Sequence, residues 1–205
     1  MPKTGTQSIR QALGPHLAEG DWQQHALFGQ ARLPIAELAA RGHGHLSVCD
    51  VAPRLPTEVW STYFKFAFVR NPFERFVSAY VFLFRNSISA DHSPEEMIGD
   101  MKAALARRRF RQRVLIQPQS QLLEDREGKL AVDFIGRYER LEADFEDVCQ
   151  RLGIHASLPR ANPSDHVHFS RYYDPELRSM VADFYARDLQ NFDYSYSSEL
   201  STSPS

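Results

Sequence analysis

Apolar and polar positions along the chain alternate between short continuous apolar runs and stripes at three- and four-residue spacing. The first pattern marks buried strands and the second amphipathic helices. Thr62–Val69 (Thr-Tyr-Phe-Lys-Phe-Ala-Phe-Val) is apolar at nearly every position, which predicts a strand buried on both faces. It ends at Arg70-Asn71-Pro72-Phe73-Glu74. There Asn71 can cap a helix, Pro72 suits the first helical position, and Glu74 sits at the capping-box position. Phe73, Phe76, Val77, Tyr80 and Phe84 then recur as one helical face. The local unit is strand, tight turn, helix.

Three further helices follow the same logic. Ser93-Pro94-Glu95-Glu96 is a capping box ahead of Met97, Met101 and Leu105. Leu141, Phe145, Val148 and Leu152 form a stripe that Gly153 terminates. Asp174-Pro175 opens a helix with the face Leu177, Val181, Phe184 and Tyr185. Leu130–Ile135 reads as another short buried strand, and His45–Asp50 as a weaker one. Alternating short strands and helices predict an α/β domain with a mostly parallel central sheet flanked by helices. No internal repeat or linker divides the chain, so residues 1–194 read as a single domain. The serine-rich stretch 195–205 lacks apolar periodicity and reads as a disordered tail.

Composition narrows the functional classes. The 205 residues, 42% of them hydrophobic, suffice for one domain with a real core. Lysines and arginines nearly balance aspartates and glutamates, leaving a net charge of −2, so no global cationic field marks a nucleic-acid partner. Cys49 and Cys149 cannot build a disulfide scaffold and read as packing residues. No apolar run reaches the roughly 18–20 residues that span a bilayer, and no signal peptide is recognisable. The expectation is a cytoplasmic protein without a membrane partner; a luminal domain trimmed of its anchor would read the same way.

Two segments carry anion chemistry. The chain opens with Pro2-Lys3-Thr4-Gly5-Thr6-Gln7-Ser8, a glycine flanked by hydroxyl residues at the mouth of a helix. Unpaired backbone N–H groups and the helix dipole favour a phosphate or sulfate there, and Lys3 adds a full positive charge. The Gly-Lys-Ser/Thr ending of a Walker loop is absent, and with it the hydroxyl that would hold Mg²⁺. The second segment is Arg70-Asn-Pro-Phe-Glu-Arg-Phe-Val-Ser78-Ala-Tyr80. Arg70 stands at a strand end, where α/β sheets bind ligands, and Ser78 can add a hydroxyl from the helix.

Together these segments resemble the carbohydrate sulfotransferases that use 3′-phosphoadenosine 5′-phosphosulfate (PAPS). The opening motif is similar to their 5′-phosphosulfate loop and the second to their 3′-phosphate motif. Gln117-Pro-Gln-Ser120, Asp133-Phe-Ile-Gly-Arg-Tyr-Glu-Arg-Leu141 and Tyr172-Tyr-Asp-Pro-Glu-Leu177 also resemble the family. The resemblance implies a P-loop-like three-layer domain, PAPS as donor and no metal. It assigns Lys3, Thr4, Gly5, Thr6, Gln7 and Ser8 to the 5′-phosphosulfate, and Arg70 and Ser78 to the 3′-phosphate. Lys3 doubles as the group stabilising charge on the leaving oxygen. Such loops follow an apolar strand, yet only Met1 precedes Pro2. A missing first strand, from an incomplete N-terminus, is therefore expected.

Gly42-His43-Gly44-His45 is similar to the His-Gly-His stretch of uronosyl 2-O-sulfotransferases. An imidazole suits removal of a hydroxyl proton at neutral pH. The base role falls to His45, with His43 orienting the acceptor or serving as alternative base. Metal is discounted, because no cluster has suitable ligand spacing. Arg107, Arg108, Arg109, Arg111 and Arg113 form a basic run, read either as a contact for an acidic, uronic-acid-containing carbohydrate or as a solvated helix surface. His166 and His168 can approach the site through a loop, but spacing alone does not place them. A P-loop nucleotide kinase and a non-catalytic nucleotide- or glycan-binding relic are the competing readings.

Overall fold

The computed structural model describes residues 1–22, 35–40, 44–88, 92–159 and 168–197. Helices α1 (Thr6–Leu13), α2 (Ala36–Ala39), α3 (Val48–Val51) and α4 (Thr57–Thr62) precede strand β1 (Phe66–Val69). Helices α5 (Pro72–Phe84), α6 (Pro94–Ala106), α7 (Arg108–Arg111) and α8 (Gln119–Leu123) separate β1 from β2 (Phe134–Arg137). The described order closes with α9 (Leu141–Leu152), α10 (Pro175–Phe184) and α11 (Ala186–Asn191).

β1 and β2 pair in parallel, Phe66 opposite Phe134 and Val69 opposite Arg137. Side chains alternate across a strand, and both faces are covered. Phe66 and Phe68 pack with Ala12 of α1 and Phe145, Val148 and Cys149 of α9. Ala67 and Val69 pack with Met1, Leu123, Phe192 and Tyr194. Gly136 is required by the first packing: a Cβ there would stand 2.4 Å from Phe68 Cε1. A larger core of α5, α6, α7 and α10 gathers Phe73, Phe76, Tyr80, Met101, Phe110, Leu177 and Tyr185.

The expected helices are present with their caps, except that Glu74 closes no capping box: Asn71 N donates to Glu139 instead, and Glu74 pairs with Arg70. Asn71 Oδ1 accepts from Phe73 N at 3.0 Å, Ser93 and Glu96 form the capping box, and Asp174 Oδ1 accepts from Leu177 N at 2.8 Å. Gly153 ends α9 at φ 66°.

The strands differ from expectation. Thr62 belongs to α4, its hydroxyl donating to Glu58 O at 2.7 Å, so β1 keeps only the four residues that β2 can pair. His45–Asp50 is not a strand; Ser47 and Asp50 close a capping box that starts α3. β2 begins four residues later than Leu130, which instead bridges Glu124 in antiparallel fashion. Among the described residues the sheet therefore has two strands, a small parallel core within a helix-rich α/β fold. Ser195 and Tyr196, expected to begin the tail, are packed. Ser195 O accepts from Asn71 Nδ2 at 3.0 Å, and the Tyr196 ring lies 5.1 Å from that of Phe73.

Candidate active site

The turn into α1 is shaped by Lys3 at φ 65° and Gly5 at φ 77°. Gly5 is fixed twice over, since a Cβ would also come within 2.7 Å of Leu141 Cδ2. No side chain caps α1 and no acidic residue stands in its first turn, so its leading amides remain suited to an anion. The hydroxyls of Thr4 and Thr6 both donate to Met1 O and are engaged by the backbone. Gln7 is exposed and Ser8 half-buried on the first turn.

Arg70 follows β1 and is held by its backbone. Its N–H donates to Gln119 Oε1 and its carbonyl accepts from Gln119 Nε2, both at 2.9 Å. Asp188 anchors that clamp, accepting from Gln119 N at 2.7 Å and Ser120 N at 2.8 Å. The next amide, Asn71 N, donates to Glu139 Oε1 at 2.7 Å. The Arg70 side chain pairs with Glu74 through Nε at 3.1 Å and lies 4.3 Å from the Tyr138 ring centre.

Helix α5 turns Glu74, Ser78 and Phe82 toward the same side, and Arg85 follows one turn on. These residues, with Lys3 and Arg70, line a cleft of about 570 Å³; Val77, Val81, Phe169 and Tyr172 supply apolar wall. Lys3 Nζ sits 4.7 Å from the Phe82 ring centre and the Arg85 guanidinium 4.9 Å from it. Burial, and then the charges of Arg70 and Arg85, hold the Lys3 pKa below the ordinary lysine value. Three cations thus face one carboxylate, Glu74. A larger hollow of about 910 Å³ beside α9 is lined by Glu142, Glu146 and His155, a less suitable setting for an anion.

The structure therefore brings Lys3, Arg70 and Ser78 into one cleft, while Thr4, Gly5, Thr6, Gln7 and Ser8 are not among its lining residues. His45 is half-buried just ahead of α3 and is not among the cleft-lining residues; His43 lies outside the described residues. Arg107, Arg108, Arg109 and Arg111 are exposed. Phe110 between them packs on Phe76, Tyr80 and Phe84, a different stripe of α5 from the one facing the cleft. His168 does line the cleft. Its Nδ1 is 2.7 Å from Ser170 Oγ. Arg85 and Phe82 stand outside the sequence motifs, although Phe82 is one turn beyond Ser78 and Arg85 two turns. Gln119 lies in the Gln117-Pro-Gln-Ser120 motif, which by itself gives it no role.

A family model described as "Sulfotransferase family" matches residues 42–195. The chain belongs to the sulfotransferase family. Membership carries sulfuryl transfer in general. Arg70, Ser78, Arg85, Gln119 and His168 fall within the matched residues of this sulfotransferase, whereas Lys3–Ser8 precedes them. No curated protein and no solved structure matches the chain. Among the described residues no helix is long and apolar enough to cross a membrane.

Proposed function

We propose that this sulfotransferase moves a sulfuryl group from PAPS to a hydroxyl of an acidic carbohydrate, on a P-loop-like three-layer fold. The convergence of Lys3, Arg70 and Ser78, far apart in sequence, in one cleft carries the reading. PAPS fits the donor set: the cleft has the size of a small-molecule site and an excess of cations. Arg70 and Ser78 take the 3′-phosphate, and the amides at the start of α1 take the 5′ end. With the Thr4 and Thr6 hydroxyls engaged, those amides and Lys3 carry the phosphosulfate contacts.

In the reaction the acceptor oxygen forms a bond to sulfur while the bond from sulfur to the bridging oxygen breaks. Lys3 offsets negative charge on that departing oxygen. The acceptor proton passes to an imidazole. A base must come within hydrogen-bond reach of that oxygen; His168 lines the cleft and is better placed than His45. His168 Nδ1 accepts from Ser170 N at 3.4 Å and meets Ser170 Oγ at 2.7 Å; taking the acceptor proton at Nε2 requires the other tautomer, in which Nδ1–H donates to Ser170 Oγ.

Sulfation of a uronic-acid-containing oligosaccharide, measured with and without PAPS, tests the reading. Lys3→Ala is expected to abolish turnover, and His168→Ala to lower it by about 10²–10⁴ while His45→Ala changes it less. Wild-type turnover in Lys3→Ala would dismiss the donor assignment. Binding of 3′-phosphoadenosine 5′-phosphate (PAP) with no transfer to any glycan would favour a non-catalytic relic. Stabilisation by ATP with Mg²⁺, and not by PAP, would favour a kinase.

A further inference from the structure

The proposed donor contacts use Lys3 and Arg70 and leave Arg85, the third cation lining the cleft, without an assigned role. Arg85 stands two helical turns beyond Ser78, about 10 Å along the α5 axis at about 1.5 Å per residue. It is thus displaced from the 3′-phosphate position between Arg70 and Ser78. Its guanidinium and the Lys3 ammonium both rest against the ring of Phe82, at 4.9 Å and 4.7 Å from its centre. The two charges therefore lie no more than about 10 Å apart, each braced by the same aromatic ring. Arg70 has Glu74 as a counter-charge. Arg85 has the Phe82 ring and, among the described residues, no ion-pair partner. It is solvent-exposed and lines the cleft, within reach of a second substrate.

We infer that Arg85 is the acceptor-recognition residue of this cleft, binding a carboxylate or ester sulfate on the sugar, with Phe82 positioning Arg85 and Lys3 relative to each other. The inference rests on the proposed PAPS-dependent reading and moves acceptor recognition from the exposed Arg107–Arg111 run to the far turn of α5. A guanidinium grips a carboxylate or sulfate through two parallel hydrogen bonds, which a lysine cannot copy. The spacing from Lys3 favours an acidic group on the reacting sugar or its immediate neighbour, since Lys3 marks the departing oxygen.

Calorimetry separates this from a donor role. PAP binding is measured first, for wild type, Arg85→Ala and Arg85→Lys. A heparosan tetrasaccharide, which carries uronate carboxylates, is then titrated into each PAP-saturated protein, and its carboxyl-reduced counterpart serves as control. Arg85→Ala is expected to keep the PAP Kd within twofold and weaken the tetrasaccharide at least tenfold, with no change for the reduced control. Arg85→Lys is expected to fall between, and joint replacement of Arg107, Arg108, Arg109 and Arg111 by Ala to leave tetrasaccharide binding unchanged. A matching loss of PAP affinity in Arg85→Ala overturns the inference in favour of a donor contact. So does an equal effect on both saccharides, or a loss confined to the Arg107–Arg111 variant. Wild type that binds PAP but not the tetrasaccharide also removes the acceptor subsite and leaves the donor reading standing. Wild type that fails to bind PAP removes the donor reading and this inference with it.

Discussion

Lys3 is the side chain whose surroundings say most about its role. Burial and two guanidiniums disfavour its charged form, so the free protein gives up this proton at a lower pH than an ordinary lysine would. A bound anion reverses the balance and holds the proton on. PAP affinity is therefore expected to fall as the pH is raised from neutral toward about 10, the ordinary lysine range. Lys3→Arg, which stays charged, should flatten that decline; calorimetry across the pH series decides. In the free protein the sign is opposite. The cost of the buried charge is present while Lys3 is protonated and is relieved as the pH rises through its lowered pKa. Gln119 acts one step away, through the backbone of Arg70. Gln119→Ala leaves buried partners unsatisfied and is expected to cost about 1–3 kcal/mol in urea unfolding. It should also weaken PAP binding, and unchanged PAP affinity in the folded variant would show that Arg70 needs no such clamp. A glutamine can be read in the sequence, but not the peptide it clamps: Arg70 lies 49 positions away.

Helix α5 is the element on which the site depends, and its two stripes divide the work. Phe73, Phe76 and Tyr80 enter the core, while Glu74, Ser78, Phe82 and Arg85 line the cleft. Its start is set by neighbours in sequence, which is why Asn71-Pro72 was legible. Asn71→Ala removes the cap and the bond to Ser195 O, and thermal unfolding should show a loss of about 1 kcal/mol or somewhat more. β1 was legible only in part, because a strand extends as far as a partner pairs with it. Ahead of the four residues that β2 pairs, Thr62 ends α4 through its own hydrogen bond and residues 63–65 only connect the two elements. Gly136→Ala probes the sheet: its Cβ would drive into the nearly buried Phe68 ring and should destabilise by about 1–3 kcal/mol on chemical unfolding.

Across the molecule, a buried polar frame joins the sheet end to the helical core. Arg75 is fully buried and donates to Leu115 O at 3.1 Å, Ile116 O at 3.4 Å and Gln117 O at 2.6 Å. Its guanidinium lies 5.3 Å from the Tyr185 ring centre, and Tyr185 donates its hydroxyl to Ile116 O at 2.6 Å. Those carbonyls lead directly into Gln119 and Ser120, which Asp188 of α11 holds. The Arg70 clamp thus stands on contacts from α5, α8 and α11. Arg75→Ala strips partners from several buried groups and is expected to cost at least about 3 kcal/mol, read from urea unfolding. Residual binding of PAP by that variant, if folded, should be weaker than wild type.

What the amino-acid order settled alone was local. Caps, helical stripes, the glycine at the α1 turn and the two anion motifs each depend on residues within a few positions of one another. Backbone geometry and short-range hydrogen bonding act over that distance. Tertiary packing decided which distant charges meet: Lys3 with Arg70 and Arg85, His168 at their cleft, and the Arg107–Arg111 run on a separate surface. Spacing along a chain does not encode those meetings, because they follow from which stripe of α5 is buried against the core and which is left facing the cleft.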